Sequence, residues 1–422
     1  MTIYSEMESA VQCYARSFPT EFNRAQGVFL FDSNNRQYLD FLAGAGALNY
    51  GHNHPVLKQA LLNYIAADGV THSLDLHTVA KSRFLEAFRN HILRPRQLDY
   101  RLQFTGPTGT NAIEAALKLA RKIKGRRNIL SFTNGFHGVT LGSVAATGNS
   151  HHRSGAQVSL NDVVRMPYCG YFGDQSDSLA MIEQLLSDPS SGIDLPAAVL
   201  VETVQGEGGL NVASDIWLQG LARLCKRHDM LLIIDDIQAG CGRTGTFFSF
   251  EPSGIKPDMV TLSKSLSACG LPMAVLCLRP ELDQWQPGEH NGTFRGNNYA
   301  FVTATAAIQH FWLDDNFSRA VAQRAAQVTQ CFQQLVSHFG NEHLRRKGRG
   351  LMQGLECRDG ELAGRISQQA FDKGLIIETA GNRRQVVKCF CPLTISESEL
   401  GAGLERLSES FHSVLGKQLR RV

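Results

Sequence analysis

The chain has 422 residues, enough for a large hydrophobic core and about two or three domains. Its 43% hydrophobic and 19% charged residues are typical of a folded protein and exclude a disordered or collagen-like chain. A formal net charge of +3 from mixed acids and bases offers no field for nucleic acid or an anionic membrane, so we expect small-molecule chemistry.

The cysteines and the amino terminus predict a cytoplasmic protein. Ten cysteines are scattered without the CxxC spacing of metal sites, which predicts buried free thiols in a reducing compartment and no bound metal. The first residues include acids instead of a basic leader, and no window reaches the length of a membrane span. We therefore expect neither a membrane nor a nucleic-acid partner.

Residues 27–42 alternate apolar and polar side chains on both sides of an Asn-Asn pair, which predicts a β-hairpin. In the middle of the chain the pattern changes to short, mostly apolar runs separated by helical segments. Such runs are typical of a mostly parallel sheet covered by helices on both faces, which is the α/β class. The runs are Asn128–Phe132, Ala197–Val204, Leu231–Ile234, Met259–Leu262 and Met273–Leu278.

The carboxy-terminal part of the chain predicts a helix followed by two strands, Gly348–Glu356 and Val386–Phe390. We predict that residues 1–54 and 313–422 together form a smaller α+β domain, and that residues 55–312 form the large domain. No low-complexity linker separates these segments, so the two domains are expected to pack closely.

A lysine and an aspartate in this pattern point to one cofactor. Lys264 follows the run Met259–Leu262, and Asp235 ends the apolar run that begins at Met230. Pyridoxal phosphate (PLP) enzymes require this pair, because an amine forms the Schiff base and a carboxylate keeps the ring nitrogen protonated. Either residue alone is ordinary, since most such lysines are solvated and most strand-end aspartates cap helices or turns.

A glycine-rich turn, Thr105–Asn111, precedes the alanine-rich helical segment Ala112–Lys122. The N–H groups at the start of a helix and the positive end of its dipole favour a phosphate. An ordinary turn with a helix cap is an equal alternative, because the pattern is neither GxGxxG nor the Walker P-loop.

Three further segments lie at predicted strand ends. Phe136 stands between glycines and is placed to stack on a flat ring, although a lone aromatic is more often a core residue. Gln238 can donate an amide hydrogen to the ring's phenolate oxygen, whereas Asp236 is predicted to be structural. The turn Glu202–Gly209 adds two acids at the edge where open α/β sheets bind ligands.

The order and spacing of these motifs resemble those of the class III aminotransferases, which are fold-type I PLP enzymes. The resemblance extends from Gly51–Pro55 to Gly348–Met352. It implies a large domain with a mostly parallel seven-stranded sheet between helices, and a smaller α+β domain made from both termini. The motifs are Gly109–Asn111, Phe136–Gly138, Glu202–Gly208, Asp235–Gln238, Gly242–Gly245 and Ser263–Ser265.

The resemblance also implies the roles of individual residues. Lys264 forms the Schiff base and then acts as base and acid of the proton shift, and Asp235 binds the ring nitrogen. The phosphate is held by Gly109 and Thr110, together with Thr293 of the partner subunit. The implied cofactor-binding residues are Gly109, Thr110, Phe136, His137, Glu202, Asp235, Gln238, Lys264 and Thr293.

Within the class, the segments Ala43–His52, Glu289–Asn298 and Val386–Cys389 are similar to the diaminobutyrate:2-oxoglutarate branch, which is associated with ectoine synthesis. This resemblance implies amino transfer from L-glutamate to L-aspartate 4-semialdehyde, giving L-2,4-diaminobutyrate and 2-oxoglutarate. It implies a homodimer or a dimer of dimers with shared active sites. It also implies a potassium requirement, whose site these residues do not locate.

The chain departs from the class at its substrate-binding positions. Lys388 stands where many members have an arginine for a substrate carboxylate, and an ammonium cannot reproduce the two-point grip of a guanidinium. Arg295 is the candidate to share that carboxylate, and Glu207 is the acid expected to pair with Lys388. A solvated strand lysine is the alternative for Lys388. The small residues Ala45 and Gly46 replace an aromatic of ornithine-type relatives, which predicts a roomier pocket.

Three other functions remain open from the sequence. One is another ω-aminotransferase, acting on 4-aminobutyrate, ornithine or acetylornithine. The second is an aminomutase of the glutamate-semialdehyde type, which would need no added keto acid. The third is a binding protein that has lost its chemistry, which the presence of Lys264, Asp235 and Gln238 together disfavours.

Overall fold

The computed structural model describes residues 2–173 and 178–419. Its strands are β1 (Phe22–Gln26), β2 (Phe29–Asp32), β3 (Gln37–Asp40), β4 (Arg101–Gly106), β5 (Ile129–Phe132), β6 (Val163–Met166), β7 (Ala198–Val201), β8 (Val204–Gln205), β9 (Asn211–Val212), β10 (Leu231–Asp235), β11 (Met259–Leu262), β12 (Ala274–Leu278), β13 (Leu344–Arg349), β14 (Met352–Cys357), β15 (Leu375–Ile376), β16 (Glu378–Ala380) and β17 (Val386–Cys389).

The helices vary from single turns to long rods. A π-helical turn, Phe88–Leu93, continues the fifth helix, and α3 has left-handed backbone angles at Gly44 and Ala45. The α-helices are α1 (Ile3–Met7), α2 (Tyr14–Ser17), α3 (Ala43–Gly46), α4 (Pro55–Ala66), α5 (Val79–Ala87), α6 (Gly109–Lys124), α7 (Leu141–Ala146), α8 (Ser150–Ser154), α9 (Ser178–Ser187), α10 (Asp215–Arg227), α11 (Asn298–Phe311), α12 (Asn316–Phe339), α13 (Gly360–Asp372) and α14 (Glu397–Leu419).

A seven-stranded sheet in the order β4-β12-β11-β10-β7-β5-β6 forms the centre of the molecule. Strand β12 runs antiparallel to the other six strands, which are parallel to one another. The predicted mostly parallel seven-stranded sheet is therefore confirmed. Every residue of β5, β7, β10, β11 and β12 is buried, because helices cover both faces. This is why the sequence shows continuous apolar runs at these strands.

The two edge strands, β4 and β6, have no counterpart among the predicted runs. Both are partly exposed along most of their length, so their sequences mix polar and apolar residues. Helix α6 covers one face of the sheet with a buried stripe of alanine, leucine and isoleucine side chains that packs on β10, β11 and β12. The same helix begins at the edge of the sheet where β10 and β11 end.

Two smaller sheets are built from segments near the two ends of the chain. The order β1-β2-β3-β15 includes the predicted hairpin, which is confirmed by the antiparallel pairing of β2 with β3. Strand β15 joins that sheet in parallel to β3, and the other sheet has the order β13-β14-β17-β16. The predicted division into residues 1–54, 55–312 and 313–422 remains a prediction.

The ten cysteines are free, as predicted. Their burial was predicted for all ten, but Cys13 is exposed and Cys169, Cys269 and Cys331 are only partly buried, so the prediction is wrong for these four. None of the helices in the described ranges is both long and apolar enough to cross a membrane.

Candidate active site

The carboxyl ends of β5, β7, β10 and β11 meet at one edge of the sheet, because these strands are parallel. A cavity of about 150 Å³ lies there, beside the start of α6. The cavity is lined by eight of the nine predicted cofactor-binding residues and by the predicted substrate residue Glu207. The eight are Gly109, Thr110, Phe136, His137, Glu202, Asp235, Gln238 and Lys264.

Lys264 lies in a strained turn directly after β11. Its φ of 48° is left-handed, a conformation that costs a non-glycine residue roughly 1–2 kcal/mol and persists only where surrounding contacts impose it. Those contacts come from Ser265, whose Oγ donates to the Gly46 carbonyl at 2.6 Å and accepts from the Asn49 N–H at 3.0 Å. Burial lowers the pKa of the Lys264 amine, which favours the neutral, nucleophilic form.

Asp235 is fixed by three contacts at the end of β10. Its Oδ2 lies 2.7 Å from His137 Nδ1, and its Oδ1 accepts from the Ile237 N–H at 3.2 Å and from Thr261 Oγ1 at 3.3 Å. Burial opposes a charged imidazole, yet the hydrogen bond to Asp235 and its charge raise the pKa of His137. His137 therefore holds the carboxylate that is predicted to face the ring nitrogen.

Glu202 anchors the loop that carries Phe136. Its carboxylate accepts from the Phe136 N–H at 3.0 Å and from the Gly206 N–H at 3.2 Å. Burial raises the pKa of Glu202 to about 7. The half-buried Phe136 ring lines the cavity and makes an edge contact with His152 at 5.1 Å, so one side of the ring remains available to a ligand.

The start of α6 provides the helix N–H groups that have no carbonyl one turn earlier. The backbone approaches closely here, because a Cβ on Gly109 would lie 2.8 Å from Ile237 Cδ1 and one on Gly138 would lie 2.5 Å from Thr110 Oγ1. Thr110 Oγ1 also hydrogen-bonds Ser143 Oγ at 2.8 Å. The sequence prediction missed Ser143 on α7, Thr140 just before α7, and Glu114 on α6, whose carboxylate accepts from both of them.

Gln238 connects the cavity wall to two other segments of the chain. Its Nε2 donates to the Ala45 carbonyl and to Glu207 Oε1, both at 3.1 Å. Its buried Oε1 has no hydrogen-bond partner within the described ranges, which is uncommon in a native interior. Both Nε2 hydrogens have acceptors in this position, so the predicted donation to the ring's phenolate oxygen requires one of these two bonds to be exchanged for it.

Lys388 is fully buried on β17, so the alternative that it is a solvated strand residue is wrong. Its Nζ lies 2.9 Å from Glu207 Oε1 and 2.7 Å from Glu378 Oε1. Burial opposes its charge, but the two carboxylates raise the pKa of Lys388 above its ordinary value. Although burial opposes ionisation, the charges of Lys388 and Lys264 lower the pKa of Glu207 to about 2.

The structure does not bring Thr293 and Arg295 into this cavity. They lie in a short 3-10 turn, where the Thr293 carbonyl contacts His72 Nε2 at 2.7 Å and Arg295 donates to Asn291 Oδ1 at 3.0 Å. The predicted role of Thr293 assigns it to the active site of another subunit, so this position does not contradict it. The role of Arg295 likewise remains a prediction.

The residues around the cavity fit PLP. They supply an amine at Lys264, a carboxylate at Asp235 backed by an imidazole, and a helix start at Gly109 for the phosphate. The close backbone approach at Gly138 leaves room for a ligand and none for an additional side chain.

The sequence profile of the family described as aminotransferase class-III matches residues 11–411. The chain therefore belongs to the class III aminotransferases, and the prediction of a PLP-dependent aminotransferase is confirmed.

Two relatives and one solved structure are similar over nearly the whole chain. The chain is 58% identical over 421 residues to the diaminobutyrate–2-oxoglutarate transaminase of Vibrio parahaemolyticus, covering 100% of both chains. It is 61% identical over 404 residues to the enzyme of the same name from Vibrio cholerae, covering 96% of this chain and 98% of that one. A crystal structure of the ornithine aminotransferase from Toxoplasma gondii, with PLP at partial occupancy in its active site, is 25% identical, with a TM-score of 0.84 and coverage of 98% of this chain and 94% of that one.

Proposed function

We propose that the protein transfers the amino group of L-glutamate to L-aspartate 4-semialdehyde, reversibly, to give L-2,4-diaminobutyrate and 2-oxoglutarate. Relatives with that activity in their names are 58% and 61% identical across essentially the whole chain. The observation that carries the reaction class is the single cavity lined by Lys264, Asp235 and Gln238 at the start of α6.

When bound, PLP supplies an electron-withdrawing ring that stabilises negative charge on the carbon bearing the amino group. Lys264 provides the amine that attaches the cofactor, and burial lowers its pKa, which makes Nζ a better match for taking up and returning a proton. Asp235, oriented by His137, keeps the ring nitrogen protonated. The N–H groups of Gly109 and Thr110 bind the phosphate, and Phe136 packs on the ring face.

Glu207 and Lys388 are proposed to serve the two substrates differently. Glutamate presents a carboxylate next to its reacting amine, whereas diaminobutyrate presents only hydrogen there. In the diaminobutyrate half-reaction Glu207 neutralises Lys388, as the 2.9 Å pair allows. In the glutamate half-reaction Glu207 turns away and Lys388 meets the carboxylate, with Arg295 of a neighbouring subunit as the candidate to share it.

A homodimer, alone or as a dimer of dimers, is part of the proposal. Large exposed apolar side chains on α4 and the segment up to α5 lie near the turn that carries Thr293, because the His72 ring packs against Phe294 at 5.6 Å. A second copy covering this surface would bury it and bring Thr293 to the neighbouring phosphate. The exposed residues are Val56, Leu62, Ile65, Val70, Leu74, Leu76, Val79, Leu85 and Phe294.

The free cysteines bear on the cellular setting. Free cysteines fit a reducing compartment, so we infer that the enzyme works in the cytoplasm. The potassium requirement implied by the resemblance stays a prediction without a located site.

The test is the half-reaction of the PLP-loaded enzyme with single amines. L-glutamate and L-2,4-diaminobutyrate, mixed separately with the enzyme, should each convert the bound cofactor from its pyridoxal to its pyridoxamine form, followed by absorbance. L-ornithine, the amine of the 25% identical relative, is the comparison substrate and should react more slowly. Conversion by glutamate and ornithine but not by diaminobutyrate would assign the enzyme to another ω-amine.

A further inference from the structure

A second cavity, of about 490 Å³, lies beside the cofactor cavity and shares Phe136 and Glu207 with it. Two exposed arginines, Arg383 and Arg384, stand at its rim, and Glu378 also lines it. Because it adjoins the reacting amine of Lys264, this space is where the part of the substrate away from the chemistry has to lie.

Glu207 and Glu378 form a cluster with Lys388 in which two acids share one cation. Lys388 is fully buried between Glu207 and Glu378, with Nζ 2.9 Å from one carboxylate and 2.7 Å from the other. Two carboxylates and one ammonium leave one negative charge in excess, which a buried site tolerates poorly without a further cation. Burial and the neighbouring Glu207 charge raise the pKa of Glu378, as expected for an acid that lacks a full counter-charge.

Glu378 is held in place from two sides. It lies directly opposite Lys388 in the antiparallel pairing of β16 with β17, and Tyr14 Oη donates to its Oε2 at 3.2 Å. Its side chain is only 6% exposed. Its Oε1 lies 2.7 Å from the Lys388 ammonium, so each oxygen of Glu378 has one partner here, and a carboxylate oxygen can accept a second donor.

We propose that Glu378 binds the non-reacting α-ammonium of L-2,4-diaminobutyrate and thereby selects diamino acids. The inference rests on the proposed function. In this substrate the amine at C4 reacts, while C2 carries an ammonium and a carboxylate. The Glu378 carboxylate offers the ammonium a charged acceptor at this cavity, the ammonium balances the excess negative charge of the cluster, and Arg383 and Arg384 are the candidates to bind the carboxylate.

The substrate pair L-2,4-diaminobutyrate and 4-aminobutyrate isolates this contact, because the two molecules differ only by the α-ammonium. Glu378→Gln is expected to lower kcat/KM of the diaminobutyrate half-reaction by on the order of 10- to 100-fold, the usual worth of a charge-assisted hydrogen bond. The 4-aminobutyrate half-reaction should change by about threefold or less. Glu378→Asp, which keeps the charge, should recover part of the selectivity.

Binding gives a second readout that does not depend on turnover. In the PLP-loaded Lys264→Ala variant, calorimetry should show tighter binding of diaminobutyrate than of 4-aminobutyrate, and adding Glu378→Gln should abolish the difference. Thermal unfolding of each variant reports whether it is folded. The wild-type enzyme tests the idea without a variant, since it must prefer diaminobutyrate to 4-aminobutyrate by about tenfold or more.

Equal loss for both amines in Glu378→Gln would show that Glu378 only positions Lys388, and the proposal would be overturned. An unchanged preference would overturn it as well. Wild-type enzyme that reacts with glutamate but not with diaminobutyrate would instead refute the proposed function itself, and this inference with it.

Discussion

The cofactor cavity and the second cavity adjoin each other but are held together differently. Asp235 ends the buried strand β10 and Lys264 follows the buried strand β11, so the parallel sheet brings these two predicted cofactor residues to one edge. At the second cavity, Glu207 comes from the loop between β8 and β9, while Glu378 and its partner Lys388 come from two strands of a smaller sheet, and Tyr14 is added from near the amino terminus. In the proposed function, the central sheet therefore carries the chemistry common to all substrates, while the groups proposed to tell substrates apart come mainly from the smaller sheet.

The largest expected effect is that of Lys264→Ala. Loss of the amine that attaches the cofactor and moves the proton should slow both half-reactions by on the order of 10⁴-fold, and the absorbance of the covalently attached cofactor should disappear. Lys256→Ala, at an exposed lysine that donates to the Gln97 carbonyl, is the matched control and should keep the absorbance. Continued transamination by the Lys264→Ala enzyme would refute the role of Lys264 in the cofactor cavity.

Asp235→Asn should act on both substrates alike. The amide has the shape of the carboxylate but no charge, so the ring nitrogen loses its partner and His137 loses the group that raises its pKa. We expect both half-reactions to slow by roughly 10²- to 10³-fold, measured by stopped-flow absorbance. A slowing confined to one amine would show that the cofactor edge also discriminates between substrates, contrary to the division described above.

Glu207→Gln should separate the two half-reactions. Without the Glu207 charge, Glu378 is the one carboxylate still paired with Lys388, so Lys388 is freer to bind a substrate carboxylate. We expect the diaminobutyrate half-reaction to slow by about tenfold and the glutamate half-reaction to change less. Glu281→Gln, at an exposed acid, is the control. Unchanged kinetics in both half-reactions would refute the role of Glu207.

The same division determined what the sequence could predict. Asp235, Gln238 and Lys264 carry local signals, because each follows a continuous apolar run that only a buried strand needs. Strands β4 and β6 gave no such signal, since edge strands are half-exposed and tolerate polar residues. Thr293 and Arg295 were assigned by resemblance, and a single chain cannot test a role at a neighbouring active site.

Glu378 was missed although a signal existed. It directly follows the apolar run Leu375–Ile377, the pattern by which Asp235 was recognised. What the sequence could not provide is its partner, because the contact with Lys388 depends on the register of β16 against β17. A shift by one residue would turn Glu378 to the opposite face of the sheet.

The smallest expected effect is that of Asp236→Asn. This substitution tests the stability of the folded protein at the cofactor edge and not the chemistry. Asp236 is fully buried, accepts from the Ser249 N–H at 3.0 Å, and burial raises its pKa from 3.8 to about 7. Between these values the folded protein keeps a proton that the unfolded chain has lost, so this group makes the free energy of unfolding fall as pH rises from about 4 to 7. Asp236→Asn should remove that decline, which is on the order of 2–4 kcal/mol. The thermal midpoint should therefore fall less between pH 5 and pH 8 in the variant than in the wild type.

Glu202, whose pKa is also about 7, stays in both proteins, so the difference between them reports Asp236 alone. Parallel pH curves for the two proteins would mean that Asp236 is ionised in the folded state throughout this range.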